Sequence, residues 1–211
     1  MSNKLVALTF DDGPCPGVTE RVLDTLRQYG AHATFFMLGE NVEKYGDLVQ
    51  RVYREGHQIG NHSWSHEWFT KIDEKEMRSS LENTQNEIEK ACGKRPFLHR
   101  PPYGDIDDNT FAVIGSCDLS AIIWSIDPKD WKRLGAEVTF ENVVNKSEDG
   151  DIILLHDIHE QTADALKMIM PKLVEKGFEF VTIEDLAKAK GITLEPGHYY
   201  TNFNGKEVIW R

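Results

Sequence analysis

The chain has 211 residues, 40% of them hydrophobic, which suffices for a sizeable core and argues against a disordered polymer. Its net charge of −11 disfavours nucleic acid and anionic membranes as partners, while a neutral polymer could approach unhindered. Cys15, Cys92 and Cys117 cannot all pair and form no Cys-x-x-Cys, so neither a disulfide framework nor a thiolate metal site is indicated.

Met1-Ser2-Asn3-Lys4 leads directly into a strand pattern with no signal peptide, and no apolar run reaches membrane-spanning length. A soluble domain is therefore expected, and a monomer is favoured over an oligomer. Leu5 to Thr9 reads as a buried strand that runs into Phe10-Asp11-Asp12-Gly13-Pro14. Side chains alternate along a strand, so the adjacent carboxylates point to different sides if the strand continues. One can then face a substrate or base while the other holds a cation, and without a positive neighbour the two repel.

Val22, Leu23, Leu26 and Tyr29 fall at helical spacing before Gly30, and 32–38 forms a second strand. A helix over 42–54 precedes a short strand, 58–61, that delivers His62. Asp73 with Glu76 starts a helix that runs to Gly93. A strand at 97–99 delivers Arg100, followed by Pro101-Pro102-Tyr103-Gly104 and a short helix over 108–115. The strand 119–126 ends at Asp127, with Asp130-Trp131 just beyond, and a helix near 137–146 follows. The apolar strand 151–155 ends at His156, and Asp157 is read as a cap for the next turn. Pro171 should kink or split the helix at 162–176. After a strand at 178–181, Thr182 and Asp185 cap a last helix ending at Gly191. Asn204-Gly205, between Tyr199-Tyr200 and Val208-Ile209-Trp210, predicts a terminal β-hairpin. Strands and helices thus alternate about seven times, which points to a parallel, barrel-like α/β fold over 1–191 with an extension at 192–211.

The polar residues Asp11, Asp12, His62, Arg100, Asp130 and His156 all lie just past strand ends, the face where a barrel gathers distant parts of its chain. His62 and His66, at i and i+4, would share one face of a helical turn, and with the acidic pair they make an open site for a divalent metal. Such a metal polarises water and carbonyl oxygen. Arg100 is placed to orient a carboxylate and to bridge to Asp130. His156 offers a titratable imidazole for a leaving group, and Trp131 a wall for a sugar or a small acyl group.

These residues closely resemble the five blocks of the polysaccharide deacetylases, the NodB-homology group or carbohydrate esterase family four. In order they are Thr9-Phe10-Asp11-Asp12-Gly13-Pro14, His62-Ser63-Trp64-Ser65-His66, Arg100-Pro101-Pro102-Tyr103, Asp127-Pro128-Lys129-Asp130-Trp131 and Ile152-Ile153-Leu154-Leu155-His156. The resemblance implies a distorted (β/α) barrel, with Asp12, His62 and His66 holding Zn2+, or Co2+ or Ni2+ in its place. It implies Asp11 as general base tethered by Arg100, His156 as general acid, and Asp130 paired with Arg100 and tuning His156. The Tyr103 backbone N–H would stabilise an oxyanion, and Trp131 and Leu154 would line the acetyl pocket. The implied reaction is removal of acetyl groups from N-acetylglucosamine residues of peptidoglycan or chitooligosaccharides at the cell envelope or outside the cell. The same residues would serve an O-acetylxylan esterase. A carbohydrate-binding module without turnover is disfavoured by the intact Asp11 and His156.

Overall fold

The computed structural model of the chain describes residues 4–205. The first strand, β1 (Lys4–Asp11), is buried from Val6 onward, as an apolar run covered on both faces of a parallel sheet should be. There follow α1 (Thr19–Gln28), β2 (Thr34–Met37), α2 (Gly39–Lys44), α3 (Gly46–Arg54), β3 (Gln58–Asn61), α4 (Glu74–Cys92) and β4 (Leu98–His99). The second half adds α5 (Asp108–Ser116), β5 (Ser120–Ile122), α6 (Ala136–Lys146), β6 (Ile152–His156), α7 (Glu160–Glu175), β7 (Phe178–Phe180), α8 (Ile183–Ala189) and β8 (Tyr199–Tyr200).

Every pairing between these strands is parallel, and one isolated bridge, Asp151 with Asn202, is antiparallel. β2, β3, β4, β5 and β8 succeed one another from one edge of β1, while β7 lies beside the start of its other edge and β6 beside the end. Past β5 the chain crosses to β6, where Ile126 pairs with Ile153, and this curls the sheet into a distorted, nearly closed barrel. The expected barrel is therefore the observed one. Its largest apolar cluster joins β1, β2 and β6 to α1, α3 and α7 through residues such as Phe10, Phe35, Leu26, Val49 and Leu166.

Several local expectations change. The single helix over 42–54 is two, broken at Tyr45, whose ψ of 40° leaves the helical region just before Gly46. Pro171 does not split α7, because it sits on the exposed side while Ile169, Met170 and Leu173 anchor the opposite side in the core. The strand over 119–126 shrinks to β5, since the Ile122 and Ile123 carbonyls accept from Arg100 and the chain then departs for β6. Tyr199 and Tyr200, expected in a terminal hairpin, lie parallel to β5, and Tyr200 is fully buried. The other arm of that hairpin, 208–210, lies outside the described residues. Asp73 and Glu76 form the expected capping box, and Thr182 caps α8 through the Asp185 N–H. The three cysteines are free thiols, and among the described residues no helix is long and apolar enough to cross a membrane.

Candidate active site

Strand register builds the site. Asp11 lies level with both Phe36 and His156, Met37 with Asn61, and Asn61 with His99. Asp12, His62 and Arg100 are the next residues along their strands, so they emerge together at the C-terminal rim of the barrel.

β1 ends at Asp11, and Asp12 takes a φ of +72°, so the alternation that would have separated the two carboxylates stops between them. Both then face His62, whose Nε2 lies 3.7 Å from Asp11 Oδ2 and 3.3 Å from Asp12 Oδ1. His66 Nε2 lies 3.4 Å from the same Asp12 oxygen. The His62–His66 stretch is not helical, as its i, i+4 spacing had suggested. Ser63 and His66 have φ of +71° and +63°, the Ser63 N–H donates to Asn61 Oδ1, and the His66 N–H donates to Ser63 Oγ. This compact turn still brings the two imidazoles within 5.0 Å of each other.

One ligand atom from each of Asp12, His62 and His66 lies within 4.8 Å of the others. His62 Nδ1–H donates to the Arg100 carbonyl over 2.7 Å, so that in the neutral ring the Nε2 lone pair is aimed at Asp12. Asp12 Oδ1 is buried with no hydrogen-bond donor. Facing lone pairs repel, whereas a cation between them makes both into ligands. One oxygen and two imidazole nitrogens with open positions beyond suit a divalent ion of the zinc type. The electrostatics agree in direction. Burial would raise the Asp12 pKa, but His62 beside it, and the positive charge that His62, His66 and His156 carry when protonated, hold it well below the usual carboxylate range.

Arg100 is completely buried. Its Nη1 donates to Asp11 Oδ1 and Thr9 Oγ1, both over 2.7 Å, while Nε and Nη2 donate to the Ile122 and Ile123 carbonyls. Asp11 is thereby held by one oxygen, and the other faces the site. The expected pairing of Arg100 with Asp130 is not found among the described residues, because the carbonyls of β5 and its exit take the donors that would reach toward it. Asp130 instead serves His156: its oxygens accept from His156 Nδ1–H and the His156 backbone N–H, each over 2.8 Å, from Thr162 Oγ1 over 2.7 Å and from the Trp131 backbone N–H over 2.9 Å. Burial works against a charge on His156. The bond and charge of Asp130, with Asp11 and Asp12 behind it, outweigh this and lift the pKa to about 9. At neutral pH the imidazole therefore carries a proton on Nε2.

Asp11, Asp12, His62, His66 and His156 line a cavity of about 390 Å³ together with Tyr103, Trp131 and Leu154, and with Pro101, Trp124 and Asp127, while Arg100 and Asp130 are buried behind Asp11 and His156. Every residue expected at the site is thus gathered at one mouth. Three contributors escaped the sequence reading. Thr9 and Thr162 hold Arg100 and Asp130, and only their place, one on the strand of the acidic pair and one just after His156, hinted at this. The third is Asp157, read as a turn cap. It is instead fully buried, accepts from Thr19 Oγ1 over 2.6 Å, and packs so closely on Gly13 that a Cβ there would lie 2.5 Å from its carboxylate oxygens. Burial, with Asp12 and Asp11 adding to it, raises its pKa to about 7.

A parallel barrel that carries a cation site, a tethered carboxylate and a protonated imidazole at one mouth is equipped for acid–base hydrolysis beside a metal. The chain belongs to the polysaccharide deacetylase family, whose model matches residues 1–122. It is 42% identical over 189 residues to the Bacillus subtilis peptidoglycan-N-acetylmuramic acid deacetylase PdaC, covering 90% of this chain and 40% of that protein. It is 43% identical over 208 residues to the Listeria monocytogenes peptidoglycan-N-acetylglucosamine deacetylase PgdA, covering 99% of this chain and 43% of the relative. The chain therefore spans about two fifths of the length of these curated relatives. Among solved structures, a family 4 acetyl xylan esterase from Clostridium thermocellum in complex with a cobalt ion superposes with a TM-score of 0.89 at 37% identity, over 94% of this chain and 98% of that one.

Proposed function

We propose that the chain is a metal-dependent deacetylase that hydrolyses acetyl groups from N-acetylglucosamine residues of a cell-wall polymer or its oligomers. The observation that carries this reading is the pairing, across one mouth, of an Asp/His/His donor set with a histidine that Asp130 keeps protonated. Asp12, His62 and His66 would hold the ion, with Zn2+ favoured by two imidazoles and one carboxylate. When bound, such an ion supplies Lewis acidity to the attacking water and to the acetyl carbonyl.

The chain's own groups do the rest. Asp11, fixed through one oxygen by Arg100, accepts the water proton on the other. The Tyr103 backbone N–H donates to the developing oxyanion, a contribution of about 3 kcal/mol for a preorganised donor. Trp131 and Leu154 enclose the acetyl methyl. His156 passes its Nε2 proton to the departing amine, and Asp130 stabilises the imidazolium until it does. An amine is a poor leaving group unless protonated, which is why a histidine lifted to about pKa 9 suits an amide substrate.

The likeness to an acetyl xylan esterase keeps an O-acetylated polymer as the second reading, because the same groups would cleave an ester. Acetate release from peptidoglycan, chitooligosaccharides and acetylxylan, each with and without chelator, tests both. Chelator-sensitive release from the first two is expected. Release from acetylxylan alone would favour the esterase, and no release from any would refute the proposal. A site at the cell envelope accords with the peptidoglycan deacetylases among the relatives.

A further inference from the structure

The loop that bears His66 and the loop that bears Tyr103 are joined by a side chain with no place in the reaction above, Trp68. Its indole stacks on the Tyr103 ring, with centroids 4.4 Å apart and planes 23° from parallel. The Lys71 ammonium lies 3.6 Å from the centroid of the same indole. Trp68 Nε1–H donates to Asp105 Oδ2, which also accepts from Thr70 Oγ1. Tyr103 in turn meets the His66 ring edge-on, with centroids 4.5 Å apart.

A column thus runs from Lys71 through Trp68 and Tyr103 to His66, with Asp105 pinning it from the Tyr103 side. A ring and an ammonium at these distances fill the faces of the indole, so Trp68 is no free platform for a sugar even though it is 41% exposed. Tyr103 also keeps a backbone φ of +62°, which a bulky L-residue holds only where its surroundings impose it. The turn is closed by backbone bonds from the Gly104 and Asp105 N–H groups to the Pro101 and Pro102 carbonyls, and the column packs on the one side chain that the turn projects between them.

We propose that Trp68 is a positioning residue that braces two parts of the site at once: the left-handed backbone of Tyr103 and the ring of His66. The inference rests on the roles given above to Tyr103 and His66. An aromatic pair of this kind is worth roughly two- to tenfold in an equilibrium, and Trp68 supports two partners in series.

The test compares Trp68→Ala, Trp68→Phe and Asp105→Ala with the parent protein. Each is measured for Zn2+ affinity in competition with a chromophoric chelator, for kcat and KM of acetate release from chitooligosaccharide, and for melting temperature. Trp68→Ala should bind Zn2+ about tenfold more weakly and lose about tenfold in kcat with KM little changed. Trp68→Phe keeps the stack and should recover most of both, and Asp105→Ala should fall between the two. Unchanged Zn2+ affinity and kcat in Trp68→Ala would overturn the proposal. So would a failure of Trp68→Phe to recover, or a lowered melting temperature with Zn2+ affinity retained. If the parent protein releases no acetate, the functional reading fails, while the Zn2+ measurements still decide whether Trp68 supports His66.

Discussion

Replacing Asp130 by Asn removes the charge that keeps His156 protonated and preserves the size of the side chain. Burial alone would drive the His156 pKa below its ordinary 6.5, yet it stands at about 9. That interval is worth about 3 kcal/mol at 1.36 kcal/mol per pH unit. Asp12 loses its influence on His156 when it holds a cation, so Asp130, in direct contact with Nδ1, is the main source of the lift. A pKa raised by folding means that protonated His156 stabilises the fold fully below about pH 6.5, and that this contribution fades as pH rises through about 9. In Asp130→Asn the alkaline limb of the kcat/KM profile should move down by roughly two pH units. Activity at pH 8 should then fall by about tenfold or more, against a much smaller loss at pH 6. Acetate release measured from pH 5.5 to pH 10 reads this directly. An alkaline limb that stays where the parent protein has it, or an equal loss at every pH, would refute the role given to Asp130.

Other substitutions separate metal holding from proton transfer. Asp12→Ala or His66→Ala should lose bound metal and activity together, since three protein ligands leave none to spare, and metal analysis of the purified variants checks this. Asp11→Asn should retain metal and lose about two to four powers of ten in kcat, as expected for a missing general base; near-normal turnover would remove Asp11 from that role. His156→Ala should slow release from an N-acetyl sugar far more than from an activated phenyl acetate, whose leaving group needs no proton, and equal losses on both would count against an acid role.

Much of this site was legible in the chain because a parallel barrel converts strand ends into neighbours. Asp11, His62, Arg100 and His156 each follow a segment that reads as a strand, and that regularity needs no tertiary information. What stayed hidden depended on backbone conformation and long-range contacts. The convergence of Asp11 and Asp12 required a left-handed turn at Asp12, and the closeness of the His62 and His66 rings required two more, at Ser63 and His66. None of these is a glycine, so composition gave no warning. The Arg100–Asp130 pairing failed for a related reason. Sequence supplied the opposite charges, but the carbonyls of Ile122 and Ile123 reach Arg100 first once β5 ends early. Thr162 and Asp105 were likewise ordinary loop and helix residues until the fold put them against Asp130 and Trp68.

The guanidinium sealed inside the barrel ties catalysis to folding at a single point. Taking it away would leave the Asp11 carboxylate and two buried carbonyls without their donor, a loss of about 3–5 kcal/mol and a large part of what holds a domain of this size together. Arg100→Leu should accordingly appear as aggregated or protease-sensitive protein, and a soluble, inactive Arg100→Leu with a parent-like melting temperature would contradict this. Drift toward inactivity is open at the rim, through His66 or His156, where a side chain can change without unseating the strands. At the barrel's centre the sequence has no such freedom, and a descendant that abandoned the chemistry would still be obliged to keep its arginine.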